Sequence, residues 1–182
     1  MNIVKFSMGM NILSLFKPVT TFVFDVDGVL TNGMLLVLPE GLMARQMNIK
    51  DGYALQLAVK QGYRVVVISG GYSPEVENRL NKLGIYDVFM RVEDKLGCLQ
   101  QYMAAHGLQP QEILYMGDDV PDYAVMQAAG LPCCPADAAV DIRNIAKYIS
   151  PFKGGEGCGR DVIEKVLKLN GHWAIDLSIR SK

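Results

Sequence analysis

Phe22-Val-Phe-Asp-Val-Asp-Gly-Val-Leu-Thr31 is the stretch from which the rest of the chain can be read. Phe22, Val23 and Phe24 form an apolar run without polar alternation, the pattern of a strand covered on both faces in a parallel sheet. At its end stand Asp25 and Asp27, two residues apart, so extended backbone sends both carboxylates to the same side just before the turn at Gly28. Like charges that close are tolerated when a cation joins them or when one carboxyl keeps its proton. Either solution is chemistry, a metal site or a nucleophile beside an acid. The plain alternative is an acidic turn after a strand.

Working outward, Met34 to Leu38 and Ala44 to Ile49 are apolar-rich segments around Pro39-Glu-Gly-Leu42, a hairpin pattern in which neither face of the first strand carries polar residues. One face is expected to pack on the domain and the other on a second chain. Asp51 to Lys60 is predicted helical, stopped by Gln61-Gly62. Arg64-Val-Val-Val-Ile-Ser69 is a β-branched strand that ends on a hydroxyl before Gly70-Gly71. Ser73-Pro74 with Glu75 and Glu77 opens a helix running to Leu83. A short strand at 87–90 leads to Asp94-Lys95 and a helix ending near Gly107.

Ile113-Leu-Tyr-Met-Gly117 is another apolar strand ending in acids, Asp118, Asp119 and Asp122. A helix from Pro121 to Ala129 precedes Leu131 to Cys134, whose Pro132 predicts an edge strand. Two further helices are expected at 138–146 and 161–170, with Gly154-Gly-Glu-Gly-Cys-Gly159 as a loop between them. Strand and helix alternate throughout, which predicts an α/β fold, a doubly wound and mostly parallel sheet with sites outside the carboxyl ends of its strands. Asp25, Ser69 and Asp118 all fall at such ends.

The 182 residues suit one domain, read as 19–182 after an N-terminal extension at 1–18, with 50% hydrophobic and 20% charged residues. A net charge of −1 argues against a nucleic-acid partner. The apolar residues before Lys17 are broken by Asn11 and Ser14 and lack a cleavage pattern, so they read as an extension and not as a signal peptide; the start of translation at Met1, Met8 or Met10 stays open. Cys98, Cys133, Cys134 and Cys158 have neither zinc-site spacing nor the density of a disulfide scaffold, which suggests a reducing, cytoplasmic setting. His106 and His172 lack partners for a metal.

An Asp pair, a Ser after a strand, a Lys opening a helix and Gly117-Asp-Asp-Val-Pro-Asp122 occur in the order of the four signatures of the haloacid dehalogenase-like superfamily, which the chain resembles. The resemblance implies a Rossmann-like domain that hydrolyses a phosphate ester with Mg²⁺. Phosphoryl transfer needs an in-line nucleophile and neutralisation of oxygen charge. Asp25 would be the nucleophile and Asp27 the acid and base. Asp25, the backbone carbonyl of Asp27 and Asp118 would hold Mg²⁺. Ser69 and the Gly70 amide would bind the phosphoryl group and Lys95 would supply a positive charge opposite the metal, with Asp119 and Asp122 orienting Lys95 or a metal-bound water.

The spacing leaves no room for an inserted cap domain. The chain is similar, over about residues 20–173, to the cap-less 3-deoxy-D-manno-octulosonate 8-phosphate phosphatases. The segments that carry the likeness are 47–55, Ser69-Gly70, 83–85, Asp94-Lys95, 115–126 and Lys153-Gly-Gly-Glu-Gly-Cys-Gly-Arg-Asp161. That resemblance implies a homotetramer joined through the hairpins, a neighbour's glycine-rich tail reaching each active site, recognition of an acidic sugar by Arg79 and Arg160, and a place in lipopolysaccharide precursor synthesis. Two features depart from the pattern. Many relatives carry Arg at the position of Gly71, where relatives acting on 2-keto-3-deoxynonulosonate 9-phosphate can carry Glu, and Cys158-Gly159 stands where many have Ala-Val. That nine-carbon acid phosphate is therefore an alternative substrate. Phosphorylation receivers share the sheet and the residue types, but their acidic pair precedes the acceptor and their Lys comes last. A non-catalytic tetramerising module is the remaining alternative, and every expected catalytic position is present here.

Overall fold

The computed structural model describes residues 11–179, so the readings that concern Met1, Met8 and Met10 lie outside the described residues. Its elements in chain order are α1 (Leu13–Phe16), β1 (Thr21–Phe24), β2 (Leu36–Val37), β3 (Met43–Ala44), α2 (Ile49–Lys60), β4 (Arg64–Ile68), α3 (Pro74–Lys82), β5 (Asp87–Phe89), α4 (Lys95–His106), β6 (Ile113–Met116), α5 (Tyr123–Ala128), β7 (Leu131–Cys134), α6 (Val140–Ile145), β8 (Tyr148–Ile149) and α7 (Cys158–Leu169). Six strands form one sheet in the order β5-β4-β1-β6-β7-β8, every pair parallel. The chain winds outward from β1 through β4 to β5, then returns to β6 on the other side of β1. The crevice opened by that reversal lies beyond the carboxyl ends of β1 and β6, where such sheets bind ligands.

Alternate residues of the strands build two cores. Phe22, Phe24, Val65, Val67, Leu114 and Met116 face α2, α3 and α7, and α1 adds Phe16, which lies edge-on to Tyr148 with ring centroids 5.2 Å apart. Val23, Val66, Ile68, Ile113 and Tyr115 face α4, α5 and α6. All four residues of β1 are buried, the apolar Phe22, Val23 and Phe24 as an unbroken run requires and the polar Thr21 with them. The helices start where the sequence offers caps. Asn48 accepts from the Lys50 amide, Ser73 from Val76 and Asp94 from Gly97.

Three expectations need correction. The hairpin strands are only two residues each, paired Leu36 to Ala44 and Val37 to Met43, since past β3 the chain leaves the hairpin ladder and bridges from Met47 to Thr31 before the Asn48 cap of α2. Within one chain both faces of β2 stand open, with Leu36 64% and Val37 69% exposed. β7 is an interior strand, since Tyr148–Ile149, which the sequence reading missed, pairs beyond it. Pro132 is accommodated because its carbonyl accepts from the Lys147 amide, so its peptide nitrogen faces the side where β8 has not yet begun. Finally, α7 begins at Cys158 inside the expected glycine loop, and the Arg160 amide there donates to Asp51 Oδ1 at 2.6 Å.

Candidate active site

Phe24 is the last residue of β1, and the Asp25 amide donates to the carbonyl of Met116, so Asp25 leaves the sheet beside the end of β6. The backbone then forms one wide turn, closed by the Thr31 amide on the Val26 carbonyl at 3.0 Å. Thr31 Oγ1 donates to that same carbonyl and accepts from the amides of Gly28 and Gly33. Gly28 has φ +83°, and a Cβ on it would lie 1.9 Å from Asp118 Oδ2. Glycine is thus needed there twice, for the left-handed turn and for the close approach of the β6 loop.

A cleft of about 310 Å³ is lined by Asp25, Asp27, Ser69, Gly70, Gly71, Lys95, Asp118, Asp119 and Asp122, together with Gly33 and Pro121. Ser69 directly follows β4, is almost wholly buried, and accepts from the Gly71 amide at 3.2 Å. Lys95 is the first residue of α4, and its Nζ donates to Asp122 Oδ1 at 2.7 Å. Asp122 Oδ1 also accepts from the Tyr115 hydroxyl at 2.8 Å, and Oδ2 from the Asp118 amide at 3.2 Å. With three donors on it, Asp122 anchors Lys95. Asp119 instead caps its own turn by accepting from the Val120 amide, and it does not touch Lys95.

Asp25 Oδ1 lies 3.1 Å from Lys95 Nζ, an ion-pair distance, yet no donor is aimed at it in hydrogen-bonding geometry. Burial, then the charge of Asp122, pushes the Asp25 carboxyl up to about 7 against the pull of Lys95. Asp118 is also pushed up to about 7, first by burial and then by Asp25, Asp122 and Asp119. Burial alone would lower Lys95, but Asp25 and Asp122 outweigh it and hold the ammonium above its ordinary value. Carboxylate oxygens of Asp25, Asp118 and Asp122 all lie within 4.8 Å of one another. A buried carboxylate oxygen held by an ion pair but by no well-aimed hydrogen bond, among crowded hard oxygen donors, fits a divalent cation such as Mg²⁺.

Arg79 and Arg160 stand elsewhere within the single chain. Arg79 lines an adjoining groove of about 540 Å³ between the hairpin and α3, and Gly52 leaves room for its guanidinium. Arg160 pairs with Glu164 and lies over the rings of Tyr53 and Trp173. The glycine-rich segment is engaged by its own chain. The Gly155 amide donates to the Val29 carbonyl, and a Cβ on Gly154 would lie 2.0 Å from the Gly28 carbonyl oxygen.

Sequence reasoning missed Arg45, which grips Asp27 through Nε to Oδ1 at 2.7 Å and the second guanidinium arm to Oδ2 at 3.0 Å. Its signal was a lone cation at the end of an apolar hairpin segment. The Tyr115 contact was missed as well, although a hydroxyl inside an apolar strand demands a partner.

No family model matches the chain. It is 34% identical over 159 residues to the 3-deoxy-D-manno-octulosonate 8-phosphate phosphatase of Yersinia pestis, covering 85% of this chain and 84% of that one. A crystal structure of the phosphatase of that name from Moraxella catarrhalis, in complex with magnesium ion, phosphate ion and KDO, is 30% identical, with TM-score 0.84 over 87% of this chain and 91% of that one. A probable YrbI family phosphatase from Pseudomonas syringae is 35% identical, with TM-score 0.86 over 88% and 92% of the two chains.

Proposed function

Since the chain belongs to the 3-deoxy-D-manno-octulosonate 8-phosphate phosphatase family, we propose that Asp25, Asp27, Ser69, Lys95 and Asp118 carry out that hydrolysis in the cleft beyond β1 and β6. The activity is release of phosphate from the eight-carbon sugar acid phosphate, with Mg²⁺ as cofactor. The observation that carries the assignment of residues is Asp25 itself, a buried carboxylate with an open oxygen, beside Lys95 and crowded by Asp118.

In this reading Asp25 attacks phosphorus as the ester P–O bond breaks, and the leaving alcohol oxygen takes a proton from Asp27. The product is an aspartyl-phosphate on Asp25 and a carboxylate on Asp27. That carboxylate then takes a proton from water, whose oxygen attacks the phosphoryl group and frees Asp25. Ser69 and the Gly70 amide hold the phosphoryl oxygens, and Lys95, fixed by Asp122, answers the charge on Asp25 and on those oxygens. Asp25, Asp118 and the Asp27 carbonyl would hold Mg²⁺, which would supply neutralising charge to the phosphoryl group.

The wider setting is proposed on the same footing. The apolar side chains exposed on the hairpin, Met34, Leu36, Val37, Leu42 and Met43, support assembly of a homotetramer through that element, with Arg160 of one chain serving a neighbour's site and Arg79 its own. Cys98, Cys133, Cys134 and Cys158 are free thiols, and among the described residues no helix is long and apolar enough to cross a membrane; both accord with work in the cytoplasm on a lipopolysaccharide precursor.

The test is phosphate release in Mg²⁺ with the eight-carbon acid phosphate, 2-keto-3-deoxynonulosonate 9-phosphate and simple sugar phosphates. A preference of about tenfold in kcat/KM, about 1.4 kcal/mol, for the eight-carbon acid is expected. No turnover of any ester would overturn the reading in favour of an assembly module.

A further inference from the structure

Arg45 directly follows β3, and its guanidinium spends its donors on two things, the Met43 carbonyl of its own hairpin at 3.2 Å and both oxygens of Asp27. The Arg45 side chain is only 7% exposed, whereas that of Asp27 is 33% exposed. Glu75 lies close enough to add to the acidic surroundings that raise the Arg45 pKa, where the Asp27 hydrogen bond is the leading cause. The space for this fork has a specific origin. A Cβ on Gly71 would sit 3.2 Å from Asp27 Oδ2 and 3.3 Å from the guanidinium arm that binds it. Gly71 is not among the glycines with left-handed backbone, so what it contributes here is room.

We propose that Arg45 is a positioning residue for Asp27, and that Gly71 is the missing side chain that lets the hairpin reach it. The inference rests on Asp27 being the acid that protonates the leaving alcohol. Such an acid must meet the bridging oxygen at hydrogen-bonding distance, and a partly exposed aspartate has two torsions with which to miss it. A bidentate guanidinium fixes the carboxylate plane while leaving each oxygen a second lone pair for the transferred proton. As the P–O bond breaks and the proton passes to the alcohol oxygen, the negative charge left on Asp27 meets a cation already in place. Lysine would keep the charge and lose the fork.

The experiment compares kcat/KM for the sugar acid phosphate, an alkyl ester, with that for 4-nitrophenyl phosphate, whose leaving group departs without a proton. Because kcat/KM counts only steps through the first irreversible one, the second ester is blind to the acid. Arg45→Ala is expected to lower the alkyl value roughly 10- to 100-fold, with KM within about twofold, and to leave the nitrophenyl value within about twofold. Arg45→Lys recovers part of the loss, and Gly71→Ala shows a smaller loss confined to the alkyl ester. In an Asp27→Asn background Arg45→Ala costs nothing more, since it acts through the group already removed. Thermal midpoints monitor folding in every variant. An equal loss on both esters, an additive loss in the Asp27→Asn background, or a raised KM with unchanged kcat would each overturn the proposal. If Asp27→Asn itself loses equally on both esters, the acid assignment fails and takes this inference with it. If Asp27→Asn discriminates between the esters and Arg45→Ala does not, the inference alone fails.

Discussion

Asp25 is buried beside Asp118 and Asp122 with one ammonium between them, so the fold holds more negative charge in this crevice than Lys95 can answer. Removing the charge of Asp25 leaves Lys95 still paired with Asp122. Asp25→Asn is therefore expected to abolish phosphate release, by about 10³-fold or more, while its thermal midpoint without Mg²⁺ at neutral pH equals or exceeds that of the wild type. Differential scanning fluorimetry beside a phosphate assay checks both halves. The residues gathered in the cleft were legible because each sits at a strand end or helix start, where local sequence dictates position: Asp25 after an unbroken apolar run, Ser69 before two glycines, Lys95 after a capping Asp. Arg45 was not legible, because its contact with Asp27 depends on the angle at which a hairpin leaves the domain, and no local pattern encodes that angle. Asp119 and Asp122 are alike in sequence and differ in fate, since only Asp122 lies under the Tyr115 hydroxyl.

Among the elements, β1 was readable to its carboxyl end, one residue short at Thr21, whereas β8 was not, because a two-residue strand carries too little periodicity to be seen. Its presence moved Pro132 from the edge to the interior. The hairpin and the glycine segment before α7 carry the predictions at this scale. Leu36→Glu places a charge on an apolar hairpin strand that pairs only with β3 and leaves Leu36 64% exposed within its own chain. On the proposed assembly, it is expected to change the mass measured by light scattering from a tetramer toward a monomer, with loss of activity and little change in secondary structure by circular dichroism. A monomer with full activity, in the wild type or in the variant, would remove the shared site. Gly154→Ala drives a Cβ into the Gly28 carbonyl, backbone against backbone, and Gly154 has no left-handed φ to confuse the result. The clash is expected to cost about 2–4 kcal/mol. At about 2–4 °C per kcal/mol this is a fall of roughly 4–16 °C in Tm. Gly41→Ala is the control, with φ +78° but nothing within 4 Å of the new Cβ, and it is expected to cost about 1 kcal/mol.

For the molecule as a whole, burial raises three carboxyls together, Asp25 and Asp118 to about 7 and Asp51 to about 6. Groups whose folded pKa exceeds the unfolded value lend stability that is complete below about pH 4 and is lost as pH rises through 6 to 7. The Tm of metal-free protein is therefore expected to fall between about pH 5 and pH 8, and saturating Mg²⁺ to raise it more at pH 8 than at pH 5, because the cation binds the ionised carboxylates. A Mg²⁺ increment independent of pH would place the cation away from Asp25 and Asp118. The packing of Gly154 and Gly155 on residues 28–32 also orders events in time. By the time Asp122 has been added on the ribosome, every carboxylate of the cleft exists in the nascent chain, but the loop that aims Asp25 and Asp27 has no floor until Gly155 emerges. The geometry proposed for catalysis is thus withheld until the glycine segment has been made, and a fragment released before it carries the same carboxylates without their aim.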